Sequence, residues 1–246
     1  MHTVDLSMIE RAARRIAGHV RRTPMERSAA LSDLCGVPVH LKLEHWQETG
    51  AFKLRGATNA VLSLSDEERA RGVVAASTGN HGRALAHAAK TAGARCTVCM
   101  SRLVPQNKLD AIAALGAEIR IVGNSQDDAQ IEVDRLARDE GMVPLPPFDH
   151  PDIIAGQGTI GLEIVEDVSD VETVLVPLSG GGLIAGVAAA IKAKRPKARI
   201  VGVSMTRGAA MQASLAAGRP VEVEELPTLA DSLGGGIGLA NRLTFS

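Results

Sequence analysis

Two spacings of apolar residues alternate along this chain. Short runs rich in apolar and β-branched residues predict strands at 39–44, 73–77, 95–100, 118–122, 142–145, 173–178 and 199–204. Between most of them, apolar residues recur every three or four positions, as on a helix with one buried face. Leu6, Ile9, Ala13, Ile16 and Val20 keep that spacing and predict an amphipathic first helix. The span 126–140 reads as a charged surface helix, and Pro105 suits the first position of a helix ending near Leu115. Repeated strand–helix units predict an α/β fold with mostly parallel sheets. The stretch 142–151, with four prolines, reads as a crossing between two lobes.

Three strand-to-helix junctions carry candidate chemistry. In Gln47-Glu48-Thr49-Gly50-Ala51-Phe52-Lys53-Leu54-Arg55-Gly56-Ala57, a Thr-Gly turn leads into a predicted helix over 52–64. Lys53 then lies in the first turn, where the helix dipole disfavours an ammonium and lowers its pKa. A neutral amine can form a Schiff base with an aldehyde cofactor. The alternative is a solvated surface lysine, the usual state of that residue. In the second junction, Ser77-Thr78-Gly79-Asn80-His81-Gly82 lies between a buried strand and a helix. Its amides suit an anion such as a carboxylate. A plain turn capped by Ser77, Thr78 or Asn80 fits equally well.

The third junction is Ser179-Gly180-Gly181-Gly182-Leu183, ahead of a helix over 184–194. Three glycines let backbone approach a phosphate closely. Gly180, Gly182 and Ala185 also match G-x-G-x-x-[GA], but a dinucleotide site needs an acid near the end of the next strand. That strand ends in Ser204, so a nucleotide-dependent oxidoreductase is disfavoured and a single phosphate is the better reading. No Gly-Lys-[Ser/Thr] follows, which excludes a Walker loop.

Composition narrows the function classes. A net charge of −1, no tyrosine and the lone Trp46 argue against a nucleic-acid or membrane-surface partner. No apolar stretch is long enough to span a bilayer, and no signal-peptide pattern opens the chain. A cytoplasmic enzyme is expected. Cys35, Cys96 and Cys99 give no disulfide framework and are expected to be buried or partly buried thiols. Cys96-Thr97-Val98-Cys99 matches C-x-x-C, but within a strand the two side chains face opposite ways. The seven histidines show no metal spacing, and no G-x-S-x-G turn is present.

With all three junctions in this order, the chain resembles the fold-type II pyridoxal-phosphate enzymes, and within them the threonine dehydratase and serine racemase group. Arg22-Thr23-Pro24, Val104-Pro105 through Lys108, Gly116-Ala117-Glu118 and Gly156-Gln157-Gly158-Thr159 extend the resemblance over nearly the whole chain. Ser77-Thr78-Gly79-Asn80-His81-Gly82-Arg83 is similar to dehydratases of hydroxyectoine utilisation. The resemblance implies a two-lobed, tryptophan synthase β-like fold. A small lobe at 72–148 would be inserted into a large cofactor-binding lobe formed by 1–71 and 149–246. Pyridoxal 5'-phosphate would lie between the lobes, and a homodimer is expected.

The implied reaction is α,β-elimination from a 3-hydroxy amino acid such as threonine, serine or a 3-hydroxyaspartate-like substrate, giving a 2-oxo acid and ammonia. Alternatives are an amino-acid racemase of the same fold and an inactive pyridoxal-phosphate binder. The resemblance carries the cofactor bond and the base at Cα onto Lys53, and a packing face for the ring onto Phe52. It carries the contact to the ring hydroxyl onto Asn80 and the phosphate cradle onto Gly180, Gly181, Gly182 and Leu183. Ser77, Thr78, Asn80 and His81 would hold the substrate carboxylate. Thr78 stands where racemases carry a serine that acts on the opposite face of Cα. No metal is implied, because metal-dependent relatives carry a glutamate at the position of Ser204. Relatives also continue beyond the position of Ser246, and that region supplies the partner of the pyridine nitrogen, so the chain is expected to be C-terminally incomplete. The glycine-rich stretch 230–238 reads either as running along the cofactor side or as a plain turn. Arg83 reads as a surface residue or, less commonly for arginine, as the partner of a second substrate carboxylate.

Overall fold

Helices and strands alternate through the computed structural model, which describes residues 4–77 and 79–245. The chain begins with α1 (Leu6–Ile16), β1 (Met25–Arg27), α2 (Ala29–Cys35) and β2 (His40–Lys42). Next come α3 (Lys53–Ser63), α4 (Asp66–Arg71), β3 (Val73–Ala76), α5 (Asn80–Thr91), β4 (Cys96–Met100) and α6 (Gln106–Ala113). β5 (Glu118–Ile121), α7 (Gln126–Asp139), β6 (Val143–Pro144) and α8 (Pro151–Asp167) follow. The last elements are β7 (Thr173–Pro177), α9 (Gly182–Lys194), β8 (Arg199–Val203) and α10 (Ala210–Ala217).

The central sheet has the order β5-β4-β3-β6, and every pairing in it is parallel. Its strands alternate between two packed faces, as pleating requires. Val73 and Ala75 pack with α3 and α5, whereas Val74 and Ala76 pack with Ala129, Val133 and Leu136 of α7. Both faces are covered, which is why β3 reads as a continuous apolar run. Cys96 and Cys99 fall on opposite faces, so the C-x-x-C spacing makes no pair. Cys35 is exposed, contrary to expectation, because it ends the short surface helix α2. A second parallel pair, β7-β8, packs on α8 and α9 through Val176, Ile160, Ile164 and Ile191.

Some boundaries differ from expectation. β1 pairs antiparallel with β2, yet its residues are mostly exposed and leave no apolar alternation to read. Pro105 lies just outside α6 as its N-cap residue. In α1 the buried residues are Ile9, Ala12 and Ile16, with Asp5 capping the helix by accepting the Met8 amide. The Gly156-Gln157-Gly158-Thr159 stretch serves helix packing. A Cβ at Gly156 would lie 2.6 Å from the Arg55 carbonyl on α3, and one at Gly158 would lie 3.0 Å from the Gly186 carbonyl on α9. Only glycine lets these helices approach so closely.

Arg55 fastens the same region. It is fully buried and donates to Glu44 at 2.8 and 2.9 Å, to Glu163 at 2.6 and 2.9 Å, and to Thr159 at 3.1 Å. Lys42 adds an ion pair to Glu163 at 2.6 Å. Burial alone would lower the Arg55 pKa, but the bonds to Glu44 and Glu163 outweigh it and leave it raised.

Candidate active site

Lys53 opens α3, directly after Phe52 at the N-cap. Its Nζ donates to the Pro147 carbonyl at 2.6 Å and lies 5.4 Å from the centre of the Phe52 ring. Burial of the amine end pushes its pKa down to about 8. The expected direction is therefore found, but its cause is desolvation rather than the helix dipole.

The segment that receives Lys53 also meets the other two junctions. Leu145 offers its carbonyl to His81 Nε2 at 2.8 Å. Phe148, next to Pro147, packs its ring against Gly180, where any Cβ would overlap it. A Cβ at Gly182 would lie 2.9 Å from the Phe148 carbonyl. Asp149 accepts the amides of Arg242, Leu243 and Thr244 at 2.8–3.2 Å. Thr244 in turn donates its hydroxyl to the Gly180 carbonyl at 2.7 Å. Residues 145–149 thus hold Lys53, His81 and the glycine loop together. Sequence reading missed their part, because prolines mark a connector without saying what it touches.

The Ser77 loop carries the cap that its sequence allows. Ser77 Oγ accepts the Gly82 amide at 2.9 Å, which is a capping role. Gly79, the N-cap residue of α5, supplies no side-chain cap, and a Cβ there would meet nothing within 4 Å. His81 is buried, and burial with the nearby Lys53 charge lowers its pKa to about 3. A neutral imidazole that donates Nε2–H to Leu145 has no second donor, so its side chain is unsuited to bind a carboxylate. Of the first-turn amides, Gly82 bonds Ser77 and Arg83 bonds the Gly79 carbonyl, so those of Asn80 and His81 are left without a partner among the described residues. Thr78, the other candidate here, lies outside the described residues.

Beside Gly79 and Asn80 lies a cavity of about 240 Å³, lined also by Arg83, Asn107, Lys108 and Asp231. The glycine-rich stretch 230–238 reaches this region: Ser232 lines the cavity, and Ser179 Oγ donates to the Gly234 carbonyl at 3.4 Å. Gly181 has a φ of 90° and begins α9 without a side-chain cap, leaving first-turn amides of Gly182 and Leu183 available to an anion. The Leu183 side chain packs into the core beneath, among the same residues as Phe52. A buried amine of lowered pKa, an uncapped helix start after three glycines and a second helix start whose first amides lie ahead of the Ser77 cap fit pyridoxal phosphate plus an amino-acid carboxylate.

A family model described as pyridoxal-phosphate dependent enzyme matches residues 16–246. A Sinorhizobium fredii protein provisionally named a threonine dehydratase is 65% identical over 100% of this chain and 74% of its own length. An L-threonine ammonia-lyase of Thermotoga maritima is 46% identical over 94% of this chain and 57% of its own length. Among solved structures, maize serine racemase superposes with a TM-score of 0.94 at 36% identity, covering 99% of this chain and 73% of that one. The chain thus spans between about half and three quarters of the length of these relatives.

Proposed function

The chain belongs to the pyridoxal-phosphate dependent enzymes, and from that premise we propose that it is a lyase that eliminates water from a 3-hydroxy amino acid such as threonine or serine. Water then hydrolyses the released enamine, so the products are a 2-oxo acid and ammonia. The observation that carries this reading is the Lys53 amine, buried against Pro147 while the adjoining Phe148 packs on the glycine loop. When bound, pyridoxal phosphate supplies an electron sink for a carbanion at Cα.

Lys53 would hold the cofactor aldehyde, and Gly180, Gly181, Gly182 and Leu183 its phosphate. Phe52 and Asn80 would meet the ring. The Lys53 amine then serves as the base at Cα. At pH 8 a lysine of ordinary pKa is about 0.3% neutral, whereas one with a pKa of about 8 is half neutral. The first-turn amides of α5 orient the substrate carboxylate, and Ser77 keeps that turn in place. Burial of His81 as a neutral ring avoids a second cation beside Lys53.

The proposed division assigns 72–148 to a small lobe and the remainder to a large one. It is supported by the central sheet, whose strands all lie between Val73 and Pro144. A cytoplasmic homodimer completes the proposal. Among the described residues the three cysteines are free, and no helix is long and apolar enough to cross a membrane.

The test is release of 2-oxo acid and ammonia from L-serine and L-threonine by the cofactor-loaded protein, with Lys53→Ala as control. Borohydride should fix the cofactor to the peptide holding Lys53. Labelling of another lysine, or no product from any hydroxy amino acid, would overturn the reading. A racemase is the second reading, favoured by the likeness to maize serine racemase. Chiral analysis of recovered serine separates the two.

A further inference from the structure

Arg83 stands on the first turn of α5, three residues after Asn80, so the two side chains share a helix face. Both line the cavity of about 240 Å³ beside the Ser77 loop. Arg83 is half-buried rather than solvated, and its Nε is buried with no hydrogen-bond partner among the described residues. A buried guanidinium donor without a partner is costly, and guanidinium groups are suited to carboxylates. Across the cavity, Lys108 Nζ lies 3.7 Å from the Asp231 carboxylate. The lining thus holds two cations and one carboxylate, which leaves it with a net positive charge.

We propose that Arg83, aided by Lys108, selects hydroxy amino acids that carry a second, distal carboxylate, as 3-hydroxyaspartate does. The inference rests on the elimination reading and names the substrate class of that site. The α-carboxylate takes the open amides at the start of α5. The distal carboxylate completes the hydrogen bonding of Arg83 and competes with Asp231 for Lys108. Serine and threonine place a hydrogen or a methyl group where this carboxylate would lie, and leave the Arg83 donor unpaired.

The test compares L-aspartate with L-alanine in equilibrium titrations of the cofactor-loaded protein. Neither has a β-hydroxyl, so neither can be eliminated. Aspartate should bind more tightly. Arg83→Gln should cost aspartate about tenfold or more relative to alanine, and Arg83→Lys should retain most of the preference. Asp231→Asn should tighten aspartate binding, a gain that misfolding cannot imitate. In turnover, the ratio of kcat/KM for 3-hydroxyaspartate over serine should fall in Arg83→Gln. Equal or weaker binding of aspartate in the wild type, an unmoved ratio in Arg83→Gln, or no gain in Asp231→Asn would overturn the inference. Failure of the elimination reading would look different: no 2-oxo acid from any substrate, with the aspartate preference intact.

Discussion

Replacing Gly181 by alanine tests the glycine cradle, provided that a matched control removes the backbone contribution. Gly181 and Gly218 both have left-handed backbone, with φ of 90° and 68°. An alanine at either position costs roughly 1–2 kcal/mol for that conformation. At Gly218, the C-terminal cap of α10, the new Cβ meets nothing within 4 Å. At Gly181 it would lie 2.7 Å from Thr244 Cβ and 2.9 Å from Met211 Cε. The methionine end can swing away. Thr244 cannot, because its hydroxyl bonds Gly180 and Asn241 at 2.7 Å each and its amide bonds Asp149 at 3.2 Å. Overpacking adds about 1–3 kcal/mol. Gly181→Ala should therefore lose about 2–5 kcal/mol of stability against about 1–2 for Gly218→Ala, measured by urea unfolding. If the loop shifts to relieve the overlap, its amides leave the phosphate. Cofactor affinity should then drop by at least about tenfold, or ~1.4 kcal/mol, in Gly181→Ala alone. Equal destabilisation of the two variants, or wild-type cofactor affinity in Gly181→Ala, would refute the reasoning.

Other consequences can be checked directly. The folded-state pKa of Lys53 lies below its ordinary value, so the unfolded chain binds the extra proton between about pH 8 and 10.5. Lys53→Met should therefore stabilise the cofactor-free protein most below pH 8, with the advantage fading as pH rises to 10.5. A difference in melting temperature that is flat or grows with pH would contradict the burial argument. Arg55→Met leaves Glu44 without its buried cation and Glu163 with Lys42 alone, and should cost about 3–5 kcal/mol in urea unfolding; a loss under 1 kcal/mol would count against the network. A thiol reagent should label Cys35 in the native protein. Cys96 and Cys99, raised to about 12 and 11 by burial, should react only on unfolding. Rapid labelling of all three would show that the central sheet is less well covered than described.

The α/β class and most of the elements were legible in the pattern of apolar residues, because burial imposes a period on each strand and helix. Val73-Val74-Ala75-Ala76 can be read as a strand covered on both faces, and α7 as a helix with a charged outer face. Lys53, the Ser77 loop and the triple glycine were legible because each combines an unusual local sequence with a strand-to-helix junction. β1 was not, since a short exposed strand needs no alternation of side chains. The exposure of Cys35 was also hidden, because it depends on what lies beside α2.

What the sequence by itself determined is the set of local geometries: where helices start without caps, where only glycine tolerates the backbone, and which amine sits at a helix start. Tertiary structure alone decided how those pieces are used. Residues 145–149 join Lys53, His81 and the glycine loop through two carbonyls and one phenylalanine ring. The pKa of Lys53 falls through burial, and Arg83 turns from a supposed surface residue into a cavity wall. The physical reason is that desolvation, charge pairing and contact between distant segments depend on neighbours in space, and local sequence does not encode those neighbours.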